Sequence, residues 1–192
     1  AHGSMPDLGR NAVMMMVTLI GELGKMAFPY KEHPLLGGFS RSINTIAGGV
    51  KTNVVPDSCV ATVDMRTVPG QDHRAILKQV EGLILDLKRR IPDFQATVNV
   101  ANDRPPVETS ADEPAVQQFA AVVAQITGER PVPKGVRYYT DAAAFVPHLK
   151  VPMIICGPGH ATMAHQPNEH VEITKLVQAA KIFTLAALKL LQ

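Results

Sequence analysis

The chain has 192 residues, 46% hydrophobic and 19% charged, with a net charge of +2; this supports a folded core and is too mild for a nucleic-acid binder. The densest basic group, Lys88-Arg89-Arg90, falls at a helix end, where cations are favoured anyway. The longest apolar run falls far short of the roughly 18 residues that span a bilayer, and no basic segment followed by an apolar one marks a signal peptide.

The first hundred residues alternate helical and strand patterns. Val13, Met16, Val17, Ile20, Leu23 and Gly24 share one helical face. Arg41 to Ile46 and Cys59 to Val68 read as strands, with Gly48-Gly49 and Pro56-Asp57 as turns between them. Ile76, Leu77, Val80, Leu83, Ile84, Leu87 and Ile91 keep the spacing of an amphipathic helix. Phe94 to Ala101 then alternates as a half-buried strand does. Pro105-Pro106 interrupts the pattern and marks a domain boundary, giving expected domains over 1–107 and 108–192. Beyond it, Asp112 is the expected cap of a helix with Pro114 in its first turn and Val116, Phe119, Val123 and Ile126 on its face. Val151-Pro-Met-Ile-Ile155 reads as a short strand. A closing helix carries Ile173, Leu176, Val177, Ala180, Phe183, Leu188 and Leu191. The expected fold class is α/β (α+β), with two helices on one face of an antiparallel sheet in the first domain.

Cys59 and Cys156 sit singly in apolar runs and read as buried thiols rather than a disulfide, which fits a reducing, cytoplasmic compartment. The first residue is not methionine, so the chain reads as a fragment or a processed product.

Three stretches carry chemistry. After the Val151–Ile155 strand comes Cys156-Gly-Pro-Gly159, a turn whose glycines let backbone approach a ligand. His165 follows, with Glu169 placed to hold a ring N–H. One histidine is not a metal site, because zinc takes three or four protein ligands. His160 and His170 are loop neighbours without the helical i, i+4 spacing, and no His-x-Asp, Glu-Glu or H-E-x-x-H is present. His33, His73 and His148 lie among loop or helix-start residues and read as exposed. The second stretch is Ala1-His2-Gly3-Ser4-Met5-Pro6, continuing through Gly9 and Asn11; Gly-Ser-Met is also what an expression-vector scar looks like. The third is Gly48-Gly49-Val-Lys-Thr-Asn53-Val-Val-Pro56, followed by Asp64-Met-Arg66-Thr-Val-Pro-Gly70. Strand alternation puts Asp64 and Arg66 on one face, where Arg66 either pairs with Asp64 or offers its fork to a carboxylate.

Together these motifs resemble the dizinc amidohydrolase and peptidase family of acetylornithine deacetylase, succinyl-diaminopimelate desuccinylase, aminoacylase and the glutamate carboxypeptidases. A-H-G-S-x-P-x-x-G-x-N-A opens that family's lid, or dimerisation, domain; G-G-x-x-x-N-x-V-P-D and D-x-R-x-x-P-G continue it. Y-T-D-A and G-P-G-x-x-x-x-A-H-x-x-N-E match the end of its catalytic domain. The resemblance covers essentially the whole chain in order, and it makes Ala1 to Pro6 native sequence. It implies a C-terminal portion of such an enzyme: a lid domain followed by the last segment of an α/β catalytic domain.

The resemblance also implies roles. His165 corresponds to the last zinc ligand, and His2 to a lid histidine that reaches the partner subunit's site and hydrogen-bonds the developing oxyanion. Asn53 and Arg66 correspond to lid residues that bind a substrate carboxylate across the dimer, while Thr140, Gly157 and Gly159 shape the substrate pocket. The implied protein is a homodimer joined through the lid. It hydrolyses an amide in an N-acyl amino acid or small peptide with two zinc ions, cobalt or manganese being possible substitutes. The other metal ligands and the general base are absent from this chain, so the chain alone is expected to be inactive. Ala142-Ala-Ala144 stands where desuccinylases tend to carry an arginine, which weakens a dicarboxylic acyl group as substrate. The alternative reading is a non-catalytic α/β oligomerisation or ligand-binding domain, which fold alone does not separate from an enzyme.

Overall fold

The computed structural model describes residues 1–191 and divides the chain into two compact units, Ala1–Pro106 and Val107–Gln192.

In the first unit, α1 (Ala12–Lys25) starts where the Asn11 side chain accepts the Met14 N–H at 3.1 Å, a side-chain N-cap. Strands β1 (Ser40–Gly48) and β2 (Cys59–Arg66) pair antiparallel from Gly48–Cys59 to Ser40–Arg66, with a bulge between Ile43 and Thr45. Helix α2 (His73–Arg90) is capped by Asp72, whose carboxylate accepts the Arg74 N–H at 2.8 Å, and ends on Lys88, Arg89 and Arg90. One core cluster joins these elements. Leu23 of α1, Phe28, and Val80 and Ile84 of α2 are buried together, packed by Phe39, Met65 of β2, Ala96 and Val98. Both helices therefore lie on one face of the antiparallel pair, as the patterning predicts. Arg41 ties the sheet to the end of α1, donating to the Gly24 carbonyl at 2.8 Å while lying over the Phe28 ring.

Phe94 to Ala101 departs from expectation. Burial alternates through Phe94, Ala96 and Val98, but the segment belongs to no ladder among the described residues. Alternation reports which side faces the core; a strand also needs a neighbouring backbone to bond, and this segment has none.

In the second unit, α3 (Pro114–Thr127) packs on α5 (Ile173–Leu190) through Val122, Ile182 and Ala186, flanked by Phe119, Val123, Ile126 and Leu185. Gly128, at φ +85°, ends α3 in the left-handed conformation that glycine adopts without strain. Two expectations are corrected here, the cap of α3 and the Val151–Ile155 strand. The α3 cap position is Glu113, not Asp112, and it makes no side-chain cap bond. The buried stripe of α5 is Ala179, Ile182 and Ala186, whose small members let α3 approach closely. The larger residues Leu176, Val177, Phe183 and Leu188 are exposed. Val151–Ile155 is not a strand, for the reason that applies to Phe94–Ala101: the second unit offers it no strand to pair with among its described residues. A helix not expected from the sequence, α4 (Ala142–Leu149), fills the stretch before it despite Pro147. No helix among the described residues is long and apolar enough to cross a membrane.

Candidate functional site

His2 is held by backbone pairing. The Gly3 N–H donates to the Asn53 carbonyl at 2.7 Å and the Val55 N–H to the Ala1 carbonyl at 2.9 Å, so His2 forms an isolated antiparallel bridge with Val54. A Cβ on Gly3 would stand 3.1–3.2 Å from three backbone atoms of Asn53, so glycine lets the two backbones approach without crowding. The Met5 N–H returns to the His2 carbonyl at 2.9 Å and closes a turn over His2-Gly3-Ser4-Met5. Inside it, His2 Nδ1 receives the Ser4 backbone N–H at 3.2 Å and lies 2.8 Å from the Ser4 hydroxyl. The structure thus brings the backbones of His2 and Asn53 together, though 51 positions separate them. Both residues are exposed.

Arg66 is elsewhere. It ends β2 at the edge where Ser40 begins β1, whereas the loop bearing Asn53 joins the opposite ends, Gly48 and Cys59. Seven residue steps of strand separate Cys59 from Arg66, about 23 Å. The guanidinium is already engaged: Nε lies 2.7 Å and Nη2 2.8 Å from the two oxygens of Asp64, a bidentate pair on an exposed surface. Of the two readings open from the sequence, the pairing is what the chain adopts, and a substrate carboxylate would have to displace Asp64.

In the second unit the Thr140 hydroxyl accepts the Ala142 N–H at 3.3 Å and opens α4, which accounts for this threonine without a ligand. At Gly157 and Gly159 an added Cβ would meet nothing within 4 Å, so nothing in the chain itself requires glycine there. His165 stands at φ +62° and Asn168 at φ +63°, conformations uncommon for residues with a side chain and often found at functional sites. Glu169 accepts the His165 backbone N–H at 3.2 Å, rather than the ring N–H expected from the sequence. Beside this loop, Lys175 bonds Glu172 at 2.8 Å and holds its carboxyl below the usual range, with His160 and His170 adding smaller attractions. Among the described residues no three His, Cys, Asp or Glu side chains are grouped to hold a metal, so His165 would be a single ligand.

The thiols correct another expectation. Both are free, but Cys59 is half-buried and Cys156 exposed as a residue, although partial burial of its sulfur pushes the thiol pKa up. His73 is likewise half-buried rather than exposed. Its Nδ1–H donates to Asp103 at 2.5 Å and Nε2 pairs with the Thr67 hydroxyl at 2.8 Å, clasping the end of β2, the start of α2 and the segment after Phe94–Ala101. Asp103 lies 30 positions away, so only the fold reveals this clasp.

Residues 1–92 match the family model described as "Peptidase dimerisation domain". The match takes in 92 of the 192 residues, just under half of the chain, and marks this stretch as similar to that domain. The chain is also 28% identical over 190 residues to an acetylornithine deacetylase of Myxococcus xanthus, covering 96% of this chain and 48% of that protein. It is 27% identical over 198 residues to a probable succinyl-diaminopimelate desuccinylase of Staphylococcus epidermidis, covering 89% and 48%. Among solved structures, an M20 family metallo-carboxypeptidase from Sulfolobus solfataricus superimposes with a TM-score of 0.72 at 19% identity, covering 94% of this chain and 53% of that one. An aminopeptidase from Bacillus cereus gives 0.70 at 18% identity, covering 100% and 49%. These structures share the fold. The chain spans about half the length of the curated relatives it matches. The matched residues coincide with most of the first unit, and both His2 and Arg66 lie within them.

Proposed function

We propose that the protein to which this chain belongs is a metal-dependent hydrolase of the amide bond in an N-acyl amino acid or small peptide bearing a free carboxylate. It acts as a homodimer through the domain of residues 1–92. The observation that carries the reading is His2: an exposed histidine pinned by backbone pairing within the stretch that matches a dimerisation domain, its ring bonded among the described residues only to the neighbouring Ser4. A residue so placed is useful if it reaches a neighbouring subunit's site, where a neutral imidazole N–H can stabilise a developing oxyanion. Arg66, about 23 Å along the strand from the loop that holds Asn53, serves the substrate carboxylate at a separate point. A substrate carboxylate would compete with Asp64 for the same fork, on an exposed surface where water screens the pair.

The metal does not fit this chain alone. His165 would supply one ligand and the others would have to come from outside this chain, with zinc the proposed ion and cobalt or manganese the alternatives. For the chain in isolation, that single ligand favours a second reading, a non-catalytic oligomerisation or ligand-binding domain. Metal analysis together with turnover of N-acyl amino acids separates the two. A protein of the relatives' full length that binds divalent metal and releases free amino acid supports the first reading; one that dimerises but does neither supports the second.

A further inference from the structure

The two contacts at His2 Nδ1 say which ring nitrogen carries the proton. A backbone N–H is only a donor, so the Ser4 amide at 3.2 Å, a long contact, biases Nδ1 toward the unprotonated state without fixing it alone. The Ser4 hydroxyl at 2.8 Å can rotate its proton either way, and with Nδ1 already accepting, it donates as well. Both contacts come from one residue, and the turn closed by the Met5 N–H on the His2 carbonyl keeps that residue beneath the ring. His73 shows the opposite outcome: a carboxylate against Nδ1 makes that nitrogen the donor.

We infer that Ser4 is a positioning residue that fixes His2 as the Nε2–H tautomer, with that N–H aimed out of the chain. Among the described residues nothing accepts from Nε2, so the one donor of the neutral ring is free for a partner outside the chain. This inference rests on the reading of His2 as an oxyanion donor and adds a requirement to it. A donor that spent half its time as the other tautomer would present a lone pair to the oxyanion and repel it. Ser4 touches no reacting atom; it acts through the ring.

The tautomer is directly readable. Long-range 1H–15N correlation spectra of the uniformly labelled 192-residue chain, recorded as the pH is raised until the imidazole shifts stop moving, report the tautomer of each neutral ring. The His2 signals are assigned by their loss in His2→Gln, and His73 serves as the internal standard for the opposite tautomer. The expected spectrum has His2 protonated at Nε2 with Nδ1 at the shift of an acceptor. Ser4→Ala keeps the amide but removes the hydroxyl, and the His2 shifts should move toward the average of the two tautomers. Ser4→Thr restores them. A wild-type His2 that is already averaged or protonated at Nδ1, or a Ser4→Ala spectrum identical to wild type, overturns the inference. In the full-length protein Ser4→Ala should lower kcat several-fold at unchanged KM, with Thr restoring it. If the spectra come out as expected but neither Ser4→Ala nor His2→Ala changes turnover, the functional reading falls while the tautomer assignment stands.

Discussion

Replacing Gly3 by alanine tests whether the N-terminal segment is held against Asn53 as tightly as the structure shows. The added Cβ would lie 3.1 Å from the Asn53 carbonyl carbon and 3.2 Å from its Cα and its oxygen. All three are backbone atoms, so no rotamer change relieves the contact. The segment must instead move outward by a few tenths of an ångström, lengthening the 2.7 Å bond from Gly3 N to the Asn53 oxygen. Because the segment is exposed and can shift, the cost falls at the low end of the overpacking range, about 1 kcal/mol. Gly82 is the control. It sits inside α2 with nothing within 4 Å of a would-be Cβ, so Gly82→Ala should stabilise the same unit by about 0.5–1 kcal/mol through helix propensity. Urea unfolding followed on amides of the first unit by two-dimensional NMR reads both. With m near 2 kcal/mol/M, Gly3→Ala should lower the midpoint by roughly half a molar, and Gly82→Ala should raise it slightly. Equal, same-sign shifts would refute the reasoning, because then the Gly3–Asn53 contact would exert no force.

Two further outcomes follow from the local chemistry. In the full-length protein, Arg66→Ala should raise KM strongly for substrates with a free carboxylate, whereas Asp64→Asn, which releases the guanidinium from its bidentate partner, should leave KM unchanged or lower it; steady-state kinetics on the pair checks both. Cys156, whose thiol is raised above its ordinary value near 9, binds its proton more tightly folded than unfolded. Its contribution to stability is therefore complete below pH 9 and declines as pH rises from 9 through the folded value; a Cys156→Ser chain should lose less stability than wild type over that window in urea titrations.

What the sequence reveals and what it withholds divides along the range of the interactions. Helix α2 is legible because Ile76, Val80, Ile84 and Leu87 recur on a local period, and β1 and β2 because the turn residues around Gly48 and Pro56 bracket two alternating runs. Phe94–Ala101 and Val151–Ile155 have strand composition, yet a strand is completed by a neighbour that composition cannot supply. In α4 the proline at 147 hides a short helix that Thr140 opens, and in α5 apolar residues on more than one side conceal which stripe packs. At the site, the His2–Ser4 contact spans two residues and could be found in any turn that brings an amide back to an imidazole. The clasp of Thr67, His73 and Asp103, and the approach of Asn53 to Gly3, join segments that only folding brings together.

The central claim is that His2 serves the active site of the other subunit, and mixed dimers test it most directly. Full-length His2→Ala and His165→Ala proteins, each inactive alone, are unfolded together, refolded in equal amounts and assayed on an N-acyl amino acid. If His2 acts across the dimer, every mixed dimer contains one complete site, with the metal-binding histidine of one subunit and the partner subunit's His2. Random pairing then restores about a quarter of wild-type activity. If His2 acts within its own subunit, no site in any dimer is complete, and the mixture stays as inactive as its parts.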